Sequence, residues 1–356
     1  MKKIFSLSLA VLLIVVTLSS CNSKRTNQDY DKIKIGVIET TGYKKRSYIH
    51  FYDENLNFLY KEETNHASLS EPFDRAIYKD GYIYAIPRGL FGLREEKCIL
   101  KYKIHTDEYE EYDTGLMGML CLTASDEYLF GAHGMNGVAA IARVKIDDPN
   151  DIVKTSFPDF MIGEMKAVDD QLYAVISRGI GMKTEAYLCV LSAKDLKLLE
   201  KYDISELGSF DRFAEHDGKI YISNQYTDVI LATPASTITV FDKATKQFTQ
   251  IDTKTHYPLD MFFWENLLFV SHYDKVQNIG NTVSIINLEN NTIESHTFDH
   301  AVEQMLSDSK YIYILDQEKV FKYQYSGGKF EQLSSATVDM DKSGTFFYIS
   351  GFFMCD

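Results

Sequence analysis

A turn rich in Asp, Gly or Asn precedes a short aromatic strand again and again along this chain. The occurrences are Asp80-Gly81-Tyr82-Ile83-Tyr84, Asp126-Glu127-Tyr128-Leu129-Phe130, Asp170-Gln171-Leu172-Tyr173, Asp217-Gly218-Lys219-Ile220-Tyr221, Glu265-Asn266-Leu267-Leu268-Phe269, Ser309-Lys310-Tyr311-Ile312-Tyr313 and Ser343-Gly344-Thr345-Phe346-Phe347-Tyr348. Aligned on the last aromatic they fall at 84, 130, 173, 221, 269, 313 and 348, with intervals of 46, 43, 48, 48, 44 and 35. A fixed period excludes most single-core folds. A spacing near 45 holds about four short strands and their turns, the length of one β-propeller blade. The abundance of Tyr and Phe, 24 and 22 residues, favours strands as well.

The interior of each unit carries the same plan. Ser236 to Asp242 alternates as a half-buried strand does, Lys243 to Lys246 turns, and Gln247 to Ile251 returns. Thr282 to Asn287, Leu288 to Asn291 and Thr292 to Glu294 repeat it, and so do residues 47–63. Tyr221-Ile222-Ser223-Asn224 is a close variant of Tyr-Val-Thr-Asn, and Phe269-Val270-Ser271-His272 and Tyr348-Ile349-Ser350-Gly351 are looser ones. With the Asn281 to Asn287 stretch, these resemble the YVTN family of bacterial β-propeller repeats, from about residue 33 onward. The resemblance speaks to fold and little to function. The expected fold is all-β, a seven-bladed propeller of four-stranded antiparallel blades. Strands in 47–63 would share a blade with Thr345 to Gly351, so that the two chain ends close the ring. Lys32 to Thr41 has no place in that scheme, and an extra blade built on it would make eight.

The N-terminus gives an address. Met1-Lys2-Lys3, an apolar run from Ile4 to Leu18, then Leu18-Ser19-Ser20-Cys21 read as a secretory signal. The last four residues resemble the lipobox of bacterial lipoproteins, a family that is lipidated on the cysteine and cut before it. That resemblance implies a signal peptide over 1–20 and lipidation at Cys21. A polar tether over 21–31 and a propeller domain over 32–356 follow. The membrane would be met through the lipid, outside the cell membrane or on the outer membrane of a Gram-negative host. A net charge of -14 repels a nucleic-acid backbone or an anionic surface on average, so no nucleic acid is expected as a partner. Cys98, Cys121, Cys189 and Cys355 are irregularly spaced with no CxxC pair. Three pairings are open to four cysteines in an oxidising compartment, but Cys-Ile-Leu, Leu-Cys-Leu and Leu-Cys-Val read as buried core thiols.

Nine or ten residues before the aligned aromatics stand Asp74, Glu164, Asp211, Asp260, Glu303 and Asp339. At equivalent places they would ring one mouth of the channel. Their mutual repulsion would need compensation, from Arg75 and Arg212 or from a divalent cation, which favours carboxylate oxygens. The plainer reading is that each caps backbone N–H groups where its strand begins. Loops after the aligned strands face the same side and carry Arg88, His133, Arg178 and His272. This face is the candidate binding surface. GxSxG, HExxH and P-loop signatures are absent from the sequence, and Trp264 alone cannot supply the tryptophan per blade of quinone-dependent propellers. No cofactor is predicted, and catalytic and metal-binding residues stay unassigned. The expectation is a lipid-anchored extracytoplasmic propeller binding an unidentified ligand or envelope protein, with a metal-dependent lyase or hydrolase as the alternative.

Overall fold

The computed structural model describes residues 27–70, 75–106, 108–181, 183–228, 232–308 and 310–355. The signal, lipobox and Cys21 lie outside them, as does Asp74. Asn27–Lys32 is a short 3-10 helix, and Ile33–Asp356 is a compact unit of its own.

That unit is a seven-bladed β-propeller made of seven four-stranded antiparallel sheets. Six blades use four consecutive strands. Blade 2 is Ile77–Lys79, Tyr82–Ala85, Cys98–Lys103 and Tyr109–Asp113; blade 3 is Cys121–Ala124, Tyr128–Met135, Val138–Lys145 and Asp148–Pro158. Blade 4 is Met161–Val168, Gln171–Ile180, Lys183–Ser192 and Leu198–Asp203; blade 5 is Phe213–His216, Lys219–Asp228, Thr233–Asp242 and Phe248–Asp252. Blade 6 is Pro258–Trp264, Leu267–Asp274, Ile279–Asn287 and Ile293–Thr297; blade 7 is Gln304–Ser307, Ile312–Leu315, Lys319–Ser326 and Lys329–Thr337. First strands touch the first strands of both neighbouring blades, and these contacts run full circle. The first strands therefore line the axis.

Blade 1 closes the ring. Its first strand, Tyr348–Met354, pairs with Ile33–Thr40, which leads into Ser47–Asp53 and Phe58–Thr64. The segment that suggested an eighth blade is thus the second strand of blade 1. Tyr348 sits on a first strand whereas the other aligned aromatics sit on second strands, which accounts for the short last interval. The aromatic position of the blade 1 second strand is held by Gly36, opposite Phe353. A Cβ there would fall inside the Phe353 ring, so the C-terminal strand supplies the aromatic instead. Three bonds between distant parts of the chain fasten the joint. Cys355 N donates to Lys34 O at 2.8 Å, Asp341 N to Glu39 Oε1 at 2.6 Å, and Ser350 Oγ to Leu69 O at 2.8 Å.

Seven hydrophobic clusters fill the seven spaces between adjacent blades. The repeated second-strand aromatics belong to them: Tyr84, Phe130, Tyr173, Tyr221, Phe269 and Tyr313 are each at most 4% exposed. Burial of one such side chain contributes roughly 1.5–3 kcal/mol, which is why the motif recurs once per blade. The turn before it recurs for a backbone reason. Asp80 and Gly81, and Asp217 and Gly218, both take positive φ, as a two-residue hairpin turn matching the strand twist requires. Cys98, Cys121, Cys189 and Cys355 are buried and joined in no disulfide among the described residues; burial pushes the Cys98 thiol up to about 12 and that of Cys189 to about 11.

Candidate functional site

Nine residues before each second-strand aromatic lies one position on the axis: Arg75, Cys121, Glu164, Arg212, Asp260 and Gln304. Backbone bonds mark the equivalence. The amide of Arg212 donates to Ser223 Oγ at 3.1 Å, and that of Asp260 to Ser271 Oγ at 3.0 Å, both on the adjoining second strand. In blade 1 the position falls to Gly351, paired with Ile38 and placed against the Gln304 amide.

The expected circle of six acids does not form. Glu164 and Asp260 share this level, but Asp211 and Glu303 stand one residue before it, in the extended chain leading into their first strands. Successive side chains on a strand point to opposite sides. Asp339 follows the last strand of blade 7, lies open to solvent, and meets Lys342 Nζ at 2.8 Å. First strands also break register at this level, between Ile162 and Met165 and between Pro258 and Met261. Such irregularities re-aim side chains, so counting back from the aromatic merges two distinct positions.

The level carries paired charges. Arg75 of blade 2 reaches across the axis to Asp260 of blade 6, and its Nη2 also donates to Met305 O at 2.9 Å. Asp260 Oδ2 accepts Met305 N at 2.6 Å, and Oδ1 accepts Met261 N at 3.0 Å. Arg212 Nη1 donates to Glu164 Oε2 at 3.0 Å, while Glu164 Oε1 accepts Met165 N at 3.0 Å. Every oxygen of these two carboxylates is engaged. Pairing by arginine and capping of backbone N–H groups, read from the sequence as alternatives, occur together here. Burial pulls Arg75 below the ordinary guanidinium range, and the Asp260 charge opposes it. Among the described residues no three His, Cys, Asp or Glu side chains converge as a set of metal ligands.

Beneath this level, toward the turns joining first and second strands, lies a cavity of 280 Å³. Its walls include Arg75, Arg212 and Lys166, with Phe213, Met261 and Phe352 among the apolar side chains.

Above it, Asp211 pairs with Lys275 and accepts from Ser209 Oγ at 2.9 Å and Gln225 N at 3.1 Å. Glu303 is buried, and that burial, with the charge of Asp316 second, pushes its carboxyl up to about 7. His272 is not a surface loop residue. Its strand runs to Asp274, leaving it 3% exposed, and burial lowers it to about 4. Its Nδ1 lies 3.0 Å from His256 O and its Nε2 2.8 Å from Ser284 Oγ, so neither nitrogen is free. His133, its counterpart in blade 3, is half-buried with Nδ1 2.9 Å from Met117 O. Arg178 Nε donates to Glu185 Oε2 at 2.6 Å, its guanidinium 4.7 Å from the Phe160 ring centre. Arg88 is buried. These four residues belong to different blades and do not gather into one site.

Sequence reading missed a second feature of this side. Tyr43, Phe91, Leu93, Ile180, Val276, Ile279 and Phe346 are each more than half exposed. All sit on loops or hairpin tips between second and third strands, or on connections between blades. Tyr43 and Phe91 touch, their ring centres 5.5 Å apart. On the opposite side the exposed large apolar side chains are fewer: Phe58, Tyr109 and Leu198, each the first residue of a fourth strand, directly after the turn from the third. In the sequence this loop drew notice for Arg88; Phe91 and Leu93, three and five residues on, are its exposed groups.

No family model matches this sequence, and no curated protein matches it significantly. Solved structures do resemble it. A candidate 6-phosphogluconolactonase from Bacteroides uniformis ATCC 8492 aligns over 91% of this chain and all of its own, with a TM-score of 0.59 and 11% identity. One from Bacteroides fragilis NCTC 9343 covers 92% of this chain and 99% of its own, with a TM-score of 0.60 and 11% identity. Dihydro-heme d1 dehydrogenase NirN in complex with DHE covers 90% of this chain and 74% of its own, at 0.52 and 9%. At such identities the likeness is one of fold.

Proposed function

We propose that this chain is a lipid-anchored, extracytoplasmic β-propeller that binds a protein partner or ligand on its loop-bearing face and does not catalyse a reaction. One observation carries the reading: exposed aromatic and aliphatic side chains gather more heavily on the loops of one face, where Tyr43 and Phe91 touch, than beside the turns of the other. Isolated apolar residues on a surface need no explanation, but a collection weighted to one face marks an interaction surface. Tyr43 and Phe91, from blades 1 and 2, touch within it, and Leu93 follows Phe91 by two residues. Burying each would contribute about 1.5–3 kcal/mol before the costs of association. The anchor rests on Leu18 to Cys21, and lipoprotein modification supplies the several acyl chains that stable attachment needs.

Two measurements test this. Membranes solubilised in detergent and passed over the immobilised protein yield a partner that a Phe91→Asp/Leu93→Asp variant retains at least roughly tenfold less well. Equal capture by the variant refutes the docking face. Cys21→Ala moves the protein from the membrane fraction to the soluble one; unchanged membrane attachment refutes the anchor.

The engaged oxygens of Glu164 and Asp260 argue against the metal-dependent lyase or hydrolase. A divalent cation bound tightly in calorimetry, and lost in Asp211→Asn/Asp260→Asn, would reverse that judgement.

A further inference from the structure

The cavity beneath the charged level holds more positive charge than its own acids balance. Arg75 and Asp260 pair, and so do Arg212 and Glu164. Lys166 is the remainder. It stands two residues beyond Glu164 on the same strand, hence on the same side of it, and its side chain lines the cavity. No hydrogen bond or ion pair of its ammonium occurs among the described residues. Burial pulls Lys166 below the ordinary lysine range; Glu164 opposes this, Arg75 adds to it, and Glu215, which lies outside the cavity wall and pairs with Lys243, opposes it more weakly. Arg75 Nε and Arg212 Nη2 are also buried without an acceptor. Three cations thus face two carboxylates, with donors to spare. Lys166 is half-buried, so its surplus charge remains within reach of a negative group entering the cavity.

The rest of the wall is mixed, with Tyr78 and Thr123 beside the half-buried apolar Phe213 and Leu306. The space of 280 Å³ is near the lower end for small-molecule sites. From this we infer that the central cavity is a binding site for a small organic monoanion, a carboxylate with a short apolar tail. Lys166 takes the carboxylate, the neighbouring guanidinium groups steady it, and the tail lies against Phe213 and Leu306. One surplus positive charge matches one negative charge; a dianionic phosphate would leave an excess of the opposite sign. This site lies on the other side of the charged level from the loop-bearing face. It stands or falls independently of partner docking and of the anchor.

Calorimetric titration of the mature full-length chain with hexanoate, hexanol and inorganic phosphate tests it. The expected result is saturable hexanoate binding at millimolar concentration or tighter, at least roughly tenfold weaker binding of hexanol, and weaker binding of phosphate. Lys166→Met should weaken hexanoate binding at least roughly tenfold, and Lys166→Arg should retain most of it. Circular dichroism establishes that each variant is folded, and Lys166→Gln replaces Lys166→Met if the latter is not. The Phe91→Asp/Leu93→Asp variant should bind hexanoate as the parent does. The inference is overturned if hexanoate fails to bind, if hexanol or phosphate binds as well or better, or if the folded Lys166→Met or Lys166→Gln variant binds hexanoate undiminished.

Discussion

The two faces of this ring are made of different material. On one, third and fourth strands meet in turns that satisfy themselves. Asp53 Oδ1 accepts Asn55 N and Asn57 N at 2.9 and 2.8 Å, Asp242 Oδ1 accepts Ala244 N and Thr245 N at 2.9 Å, and Asn287 Oδ1 accepts Glu289 N at 2.9 Å. Leu56, Lys246 and Asn291 then take positive φ. On the other face the connections are longer, hold apolar groups in solvent, and cover two buried titratable side chains, Glu303 and His272. Reversing a chain asks only for turn chemistry. What exceeds that demand, on one face and not the other, is where function is to be sought.

The largest expected effect belongs to the level between the faces. Arg75→Met strands the Asp260 carboxylate with backbone donors alone. It should cost about 3–5 kcal/mol in chemical denaturation, as breaking a buried ion pair does. A loss below about 1 kcal/mol would mean that Arg75 serves only as a surface charge. Next comes the response to pH, which belongs to the loop-bearing face. Glu303 is raised from 4.5 to about 7 by burial, so charging it opposes folding. Its penalty is absent below pH 4.5 and complete above 7. Glu303→Gln should therefore add about 3 kcal/mol at pH 8 and almost nothing at pH 4. His272 works in the opposite direction. Lowered from 6.5 to about 4 by burial, it favours folding above pH 6.5 and withdraws that support as pH falls toward 4. Thermal melts of Glu303→Gln and His272→Gln across this range separate the contributions; a flat difference curve would mean the groups are solvated. Smallest is the turn face. Asn287→Ala should cost about 1 kcal/mol in a denaturation curve, the net worth of a local hydrogen bond or two, with partner capture unaltered. Loss of capture there would erase the contrast between faces.

What the sequence made legible is what each blade needs separately. A turn with positive φ, an aromatic that fills one space between blades, and a period set by four strands all appear as local text. Blade 1 hid its membership because Gly36 replaces the aromatic and Phe353, more than three hundred residues away, fills the gap. The axial charges hid for a related reason. Arg75 and Asp260 meet only when the ring is shut, and the register breaks of the first strands blur the offset by one residue. His272 was misjudged because its strand continues five residues past Phe269 to Asp274, so text that reads as loop is core. Exposure itself has no periodic signature, which is why the apolar loop residues came to notice only in three dimensions.

The strand at Tyr348–Met354 occupies the axial place in the blade whose other members were made first. More than three hundred residues must follow Ile33–Thr40 from the ribosome before that place can be filled. Until then the earliest blade keeps an edge open and its neighbours lack a wall. Folding that waits on so distant a partner is slow and exposed to misassociation. A protein of this design gains its final stability in one late step, wherever the last residues first become free to move.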